Sequence, residues 1–391
     1  MRILHVVPTY APAWRYGGPI VSVHGLCKGL VRAGHDVHVF TTNVDGPGHL
    51  DVAIGTPVDV DGVKVSYFAS RFLKRLYWAP GMNTALRREV PHFDLLHLHS
   101  VYLWPTAAAA SVARRFGKPY VLAPRGMLVA DLISRKSRLL KRAWIEAVER
   151  RNLAGADAIH FTSRLEEADA RKLGLPFRRA LIVPNGVEDE EAGLAGEPEP
   201  AEETGLLLYI GRINWKKGLD RLISALALVP DCRLLIVGND EEQFQPSLEA
   251  LAERHGVRDR VSFAGPIYGV EKTRLMSRAA ALVLASYSEN FGNVVLEAMA
   301  AGCPVIVTPE VGAADLVLAS GAGLVAEGAP EKLAAAIGQV LGDRALRDEM
   351  RYKGRRAVAS RYTWTALAKE MEKAYGEIVQ AAGGSMDRGA A

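Results

Sequence analysis

Glu289 and Glu297 bracket the stretch ENFGNVVLE, and Arg212 and Lys217 share the octet GRINWKKG at 211–218. Carboxylates accept hydrogen bonds from sugar hydroxyls, and the backbone N–H groups at a helix start bind phosphate. Glu289, the amides of Phe291, Gly292, Asn293 and Val294, and Glu297 therefore suit a sugar joined to a phosphate. A plainer account stays open on this stretch alone: one glutamate favoured by the helix dipole and one solvated glutamate.

The elements around these residues can be read from composition. Residues 281–285 are an apolar run of strand length, 286–291 a polar loop, and 292–301 carry Val295, Ala298 and Met299 at helical spacing. Gly302 and Pro304 stop that helix, and 305–308 is a second strand. The result is a β-α-β unit whose loop sits at the carboxyl end of a strand, where open α/β sheets bind ligands. Three more candidates occupy equivalent places. Gly17-Gly18 follows the strand 3–8, His99 ends the strand 94–99, and Arg125 follows the strand 120–123. Taken singly, each also fits a turn glycine pair or a satisfied structural side chain.

The 391 residues allow two or three domains with sizeable cores. A hydrophobic share of 49% beside a charged share of 24% is that of a soluble globular protein. Cys27, Cys232 and Cys303 have no metal spacing, and a reducing cytoplasm is the simplest setting. The start, MRILHVV, becomes a strand at once, so no signal peptide is expected, and no apolar run approaches the ~20 residues of a transmembrane helix. Charge is uneven: residues 1–186 hold 26 Lys/Arg against 14 Asp/Glu, and the remainder 22 against 30. An anionic lipid, a phosphorylated acceptor or nucleic acid would each suit the basic half.

Along the chain, strand, glycine loop, helix and strand alternate from the start, as in a doubly wound fold. Neither Gly-x-Gly-x-x-Gly nor a Walker A sequence occurs. Residues 71–78, RFLKRLYW, read as a basic amphipathic segment, suited equally to an anionic membrane or to packing against its own domain. A strongly basic amphipathic helix is expected over 134–151. Residues 188–204, acidic and Pro-bearing, mark an exposed linker. A second strand–helix series starts at 205, with a strand expected within 317–324 and a helix over 330–341. The expected organisation is an N-terminal domain of 1–186, a linker over 187–204 and a second domain over 205–365. A terminal helix, 366–381, packs back on the first domain, and 382–391 form a disordered tail.

Together these motifs resemble glycosyltransferase family 4, retaining enzymes of the GT-B fold: α/β, with two doubly wound Rossmann-like domains facing a central cleft. Glu289 to Glu297 resembles the family's E-x7-E motif, and Gly211-Arg212-x4-Lys217-Gly218 its donor motif. Gly17-Gly18 resembles its N-terminal glycine loop, and Pro184-Asn185-Gly186-Val187 its approach to the second domain. The resemblance implies a nucleotide-diphosphate sugar donor, with Glu297 at the ribose and Glu289 at the transferred sugar. Gly265, Ile267 and Tyr268 would lie at the base, and Gly17 and Gly18 at the diphosphate. Arg212 and Lys217 can stabilise the leaving diphosphate, so neither a metal nor a cofactor is expected. It further implies same-face attack, with Glu289 orienting rather than attacking.

Many family members have His-Gly where this chain has Arg125-Gly126. Arg125 suits a phosphate or an acidic acceptor, and the assignment of His99 and Arg125 as catalytic is less direct than that of the donor residues. The expected activity is hexosyl transfer to a polysaccharide, lipopolysaccharide or lipid-linked glycan, by a cytoplasmic enzyme lying peripherally on the inner membrane face. A non-catalytic nucleotide-sugar-binding subunit and a GT-B epimerase are the rivals. Nucleic acid is not an expected partner, because no recognition motif accompanies the basic residues.

Overall fold

Buried on both faces, a parallel strand needs a continuous apolar run, and runs of that kind recur through both halves of the chain. The computed structural model describes residues 1–128, 144–193 and 203–386. It divides into two units: Met1–Asn185 with the C-terminal stretch from Trp364, and Gly186–Thr363.

The first unit contains β1 (Arg2–Val6), β2 (Asp36–Thr42), β3 (Val44–Asp45), β4 (Gly48–His49), β5 (Val58–Val60), β6 (Val63–Phe68), β7 (Leu95–His99), β8 (Tyr120–Ala123), β9 (Ala158–Phe161) and β10 (Ala180–Ile182). Its main sheet has the order β10-β9-β8-β7-β1-β2-β6-β5, parallel except for β5 against β6. Strand order reverses between β1 and β7, so the loop carrying Gly17 and the end of β7 carrying His99 meet at a switch point. The long helix Trp364–Met386 belongs to this unit and packs on the helix Gly18–Arg32. Gly25 and Gly29 make that approach possible. A Cβ on Gly25 would lie 2.2 Å from the Trp364 indole, and one on Gly29 would lie 2.5 Å from the Trp364 carbonyl oxygen.

The second unit contains β11 (Glu203–Ile210), β12 (Arg233–Val237), β13 (Val261–Phe263), β14 (Ala279–Leu284), β15 (Val305–Val307) and β16 (Gly323–Val325), in the order β13-β12-β11-β14-β15-β16 and parallel throughout. This is the doubly wound order, with its switch point between β11 and β14. All six residues of β14 are buried.

Several local readings change. Residues 71–78 form no amphipathic helix: only a short 3-10 turn, Lys74–Leu76, flanked by Leu73 and Tyr77 at positive φ. Too few residues are in helical register for one apolar face to form. Residues 317–324 are split at Gly321, a left-handed cap, between the helix Ala314–Ser320 and β16. The helix Arg344–Arg361 has no counterpart in the apolar pattern because two of its five buried residues are arginines, beside Met350, Gly354 and Val358. Arg347 donates to the carbonyls of Val340 and Leu341, and Arg351 to those of Ser277, Ala279 and Gly302. Part of the acidic stretch is ordered as the helix Asp189–Gly193, while 194–202 lie outside the described residues. The terminal helix continues to Met386, beyond the expected start of a disordered tail, and 387–391 lie outside the described residues. Residues 134–143 of the expected basic helix also lie outside them, while 145–155 are helical.

Candidate functional site

Gly218 determines how the second unit's switch point is built. Its φ is +63°, in the left-handed region, where it caps the helix Leu219–Leu226. A Cβ there would lie 1.8 Å from the carbonyl oxygen of Ala285, so only glycine lets the loop after β11 close on the loop after β14. Tyr287 N–H donates to the Lys216 carbonyl at 2.7 Å across the same seam. Asn214 Oδ1 accepts from Lys216 N and caps the turn Trp215–Lys217. Lys217 Nζ is thereby delivered to Glu289, and the two form an ion pair with side chains only 17% and 19% exposed.

The loop after β14 is also held from its other side. Glu289 N–H donates to the Glu310 carbonyl at 3.0 Å, and Gly312 N–H to the Glu289 carbonyl at 3.0 Å. Ala313 N–H donates to the Phe291 carbonyl at 2.9 Å. Gly292, at φ +88°, then starts the helix Asn293–Ala300, whose second turn carries Glu297. Glu297 is paired with Lys272 of the helix Gly269–Arg278, Nζ to Oε2 at 3.0 Å. A third carboxylate, Glu191, is held above the usual range, chiefly by burial and then by the charge of Glu297.

Gly238 joins the loop after β12 to the same edge. Its N–H donates to the Gly265 carbonyl at 2.8 Å, and a Cβ on it would lie 1.8 Å from the Gly211 carbonyl oxygen. Arg212 is exposed on this edge, with its carbonyl accepting from Tyr209 Oη at 2.8 Å. In the loop after β13, Gly265 has φ +64°, Ile267 packs on the core and Tyr268 is 71% exposed. The carboxyl-end loops of β11, β13 and β14 thus hold Arg212, Lys217, Gly265, Ile267, Tyr268, Glu289, Phe291 and Gly292, and the helix that follows β14 holds Asn293, Val294 and Glu297. Such an edge offers cations, helix amides and carboxylates together, which suits a ligand with both phosphate and hydroxyl groups.

In the first unit, Gly17 takes φ +65° and Gly18 opens the helix Gly18–Arg32, with nothing within 4 Å of a Cβ on Gly17. His99 and Arg125 do come together. Arg125, a non-glycine residue at φ +55°, lies 3.4 Å from His99 Nδ1 and donates to Asn185 Oδ1 at 3.1 Å. His99 is enclosed, 1% exposed, among three other buried histidines. Parallel register places His5 beside His97, and the two-residue strand period puts His99 on the same face.

The four histidines form two hydrogen-bonded chains, each with an end whose role is fixed. A guanidinium only donates, so His99 accepts at Nδ1 and carries its proton on Nε2, donating to His5 Nδ1 at 3.0 Å. The Val183 carbonyl only accepts, so His160 donates from Nε2 at 2.9 Å and accepts at Nδ1 from His97 Nε2–H at 3.3 Å. His97 Nδ1 then accepts from Tyr375 Oη at 2.7 Å, on the C-terminal helix. Each ring is neutral in this pattern. Burial foremost pushes all four down, His5 and His160 to about 3 and His97 and His99 well below their ordinary value.

Sequence reasoning missed Lys272, Glu191, Asn185 as the partner of Arg125, and the histidines at 5, 97 and 160. A signal existed for the last group: single histidines interrupt otherwise apolar strands in LHV, LHLH and IHF. Lys272 could have been sought in the first helical turn after the loop 265–268, much as Glu297 lies in the second turn after 286–291.

The family model described as glycosyl transferases group 1 matches residues 195–357, and that described as glycosyl transferase 4-like domain matches residues 17–186. An uncharacterized glycosyltransferase of Methanocaldococcus jannaschii is 26% identical, covering 96% of this chain and 98% of its own. A D-inositol 3-phosphate glycosyltransferase of Acidothermus cellulolyticus is 29% identical, with 93% and 86% covered. Among solved structures, sucrose-phosphate synthase of Thermosynechococcus elongatus superposes with a TM-score of 0.72 at 24% identity, covering 97% of this chain and 100% of the other. HepE of Anabaena, in complex with UDP and glucose, gives 0.71 at 18% identity, with 96% and 100% covered.

Proposed function

The chain belongs to the group 1 glycosyl transferases, GT-B enzymes of the family 4 type, and from that premise we propose that it is a retaining hexosyltransferase using a nucleotide-diphosphate sugar. The observation that carries this reading is the Lys217–Glu289 pair, fixed at the switch point by the contact of Gly218 with Ala285. A lysine ammonium has three donors, so one spent on Glu289 leaves two for phosphate oxygens. Arg212 adds a second cation on the same edge. As the glycosidic bond breaks, these groups stabilise the charge growing on the diphosphate, so the chemistry calls for no metal or other cofactor.

Glu289 orients the sugar hydroxyls, Glu297 holds the ribose, and the amides of Gly292, Asn293 and Val294 face the phosphate. Lys272 holds the Glu297 carboxylate in place through their ion pair. The leaving phosphate oxygen takes the acceptor proton, so the bond forms on the face from which the leaving group departs, and the protein supplies position and electrostatics. Gly17 and Gly18 keep the donor-binding role that the resemblance gives them. HepE with UDP and glucose supports a nucleotide-sugar donor.

On the acceptor side the reading rests on the basic residues of 1–186 and on Arg125 with its partner His99. A D-inositol 3-phosphate glycosyltransferase acts, by its name, on a phosphorylated acceptor. We assign this chain a polysaccharide, lipopolysaccharide or lipid-linked glycan acceptor bearing negative charge, met at the cytoplasmic face of a membrane. No helix among the described residues is long and apolar enough to cross one. The test is a thermal-shift screen of UDP-, GDP- and ADP-sugars, since a ligand of the folded state raises its apparent stability. The stabilising donor is then assayed with EDTA present, and the product anomer is read by NMR. The expected result is one stabilising donor class and a product retaining the donor's anomeric configuration. An inverted product, release of an epimerised nucleotide sugar without acceptor, or no stabilisation by any donor would overturn the reading.

A further inference from the structure

A cavity of about 550 Å³ opens in the first unit between the segment after β6 and the helix Pro80–Glu89. This is within the range of about 300–1,000 Å³ typical of small-molecule sites. Its walls are apolar and aromatic, with Phe68 buried at the end of β6 and Phe72 and Trp78 from the segment that follows. Two exposed arginines stand on it from different elements, Arg71 from that segment and Arg88 from the last turn of the helix. Arg88 gives Nε to Glu89 at 2.7 Å, which leaves its terminal nitrogens as donors.

The surface around the cavity is unusual as well. Phe72 is 70% exposed, its neighbour Leu73 63%, and Ile54 on the cavity wall 48%. Leu73 and Tyr77 hold φ of +50° and +54°, conformations that bulky residues avoid and that concentrate at functional sites. The turn between them is fastened by Leu76 N–H to the Leu73 carbonyl at 2.8 Å and by Lys74 Nζ to the Pro47 carbonyl at 3.0 Å. The fold therefore maintains a strained turn that turns two large apolar side chains outward beside a cationic apolar cavity.

We propose that this cavity takes one anionic lipid from a membrane surface, its chain lying against Phe68, Phe72 and Trp78 and its phosphate between Arg71 and Arg88. A free phosphate would leave the apolar walls wet. A small soluble ligand would fill the cavity but leave Leu73 in water, whereas a bilayer covers Ile54, Phe72 and Leu73 together. Lys74 and Arg75 add positive charge on the membrane side. This inference deepens the membrane side of the proposed function and rests on that reading. Its test measures binding without turnover, so it can fail while the transferase reading stands.

The probes are dihexanoyl phosphatidic acid below its micelle concentration, dihexanoyl phosphatidylcholine, inorganic phosphate and UMP, titrated into the full chain by calorimetry and tryptophan fluorescence. Saturable binding of the anionic lipid is expected at one per chain, at least tenfold tighter than the neutral lipid, with no heat from phosphate. Trp78→Phe should remove the fluorescence change. Gly81→Leu should plug the cavity and weaken binding at least tenfold. Gly81 is exposed in the first helical turn, and a Cβ there would meet only Phe68 Cδ1, at 3.8 Å, so the variant should fold and keep its donor-induced thermal shift. Phe72→Ser, at an exposed position, is the second variant and should weaken binding in the same assay. Equal affinity for both lipids, undiminished binding by Gly81→Leu and Phe72→Ser, or competition by UMP would each overturn the proposal.

Discussion

Acidification should loosen the first unit before the second, through the four histidines buried between β1, β7 and β9. In the unfolded chain each imidazole titrates near 6.5; in the folded chain His5 and His160 are held at about 3, and His97 and His99 well below 6.5. A depressed pKa contributes stability that is complete above 6.5 and is lost as pH falls towards the folded value. Between pH 7 and 5 the unfolded state gains roughly one proton per histidine while the folded state gains almost none at His5 and His160, at about 2 kcal/mol each. His5 and His160 together amount to about 4 kcal/mol, a sizeable part of a whole domain's stability of about 5–15 kcal/mol, and His97 and His99 act in the same direction. Hydrogen–deuterium exchange mass spectrometry, corrected for intrinsic rates, can follow peptides spanning β1, β7 and β9 against an internal reference from β11 and β14. Protection in the first set should fall by several orders of magnitude more than in the second. Parallel loss in both units, or imidazole resonances of these histidines titrating between pH 7 and 5, would refute neutral burial as the cause.

Further outcomes follow from the same contacts. Gly218→Ala sets a Cβ 1.8 Å from the Ala285 carbonyl oxygen at a left-handed φ, and should cost at least about 2 kcal/mol in a thermal melt and abolish donor stabilisation. Lys217→Met should lower kcat by about 10²–10³-fold, since it removes charge that acts mainly in the transition state, while circular dichroism shows the fold intact. Glu289→Ala should do likewise, and near wild-type rates in either variant would remove the basis of the site. Glu191 is raised by burial and by Glu297, so its ionisation costs the folded state stability as pH rises past the ordinary carboxylate range. Glu191→Gln should therefore raise the Tm at pH 7 and leave it unchanged at pH 4. Arg125→Met should preserve the donor-induced thermal shift while transfer falls about tenfold or more through lost acceptor positioning.

Much of the fold was legible because its signals are local. Apolar runs at 281–285 and 305–308, with Gly302 and Pro304 between them, need no partner to be read as strand, stop and strand. Where the structure departs from that reading, the local pattern had been displaced by a long-range one. Arg347 and Arg351 make a helix face look polar although both are buried, because their partners are carbonyls at the ends of other elements. The acidic stretch looked like an unbroken linker, yet Asp189–Gly193 is helical and brings Glu191 within reach of Glu297.

The sequence by itself determined which residue types stand at each loop: glycine before the helix Leu219–Leu226, cations in 212–217 and carboxylates at 289 and 297. Spacing within one loop fixes that much, because backbone conformation there depends on near neighbours. Only the tertiary structure decided who meets whom. Lys217 reaches Glu289 because β11 and β14 are adjacent in the sheet, and Gly218 is required by a carbonyl 67 residues away in the chain. His5, His97 and His160 come together because strand order, not sequence order, sets which side chains share a buried face, and burial there makes them neutral.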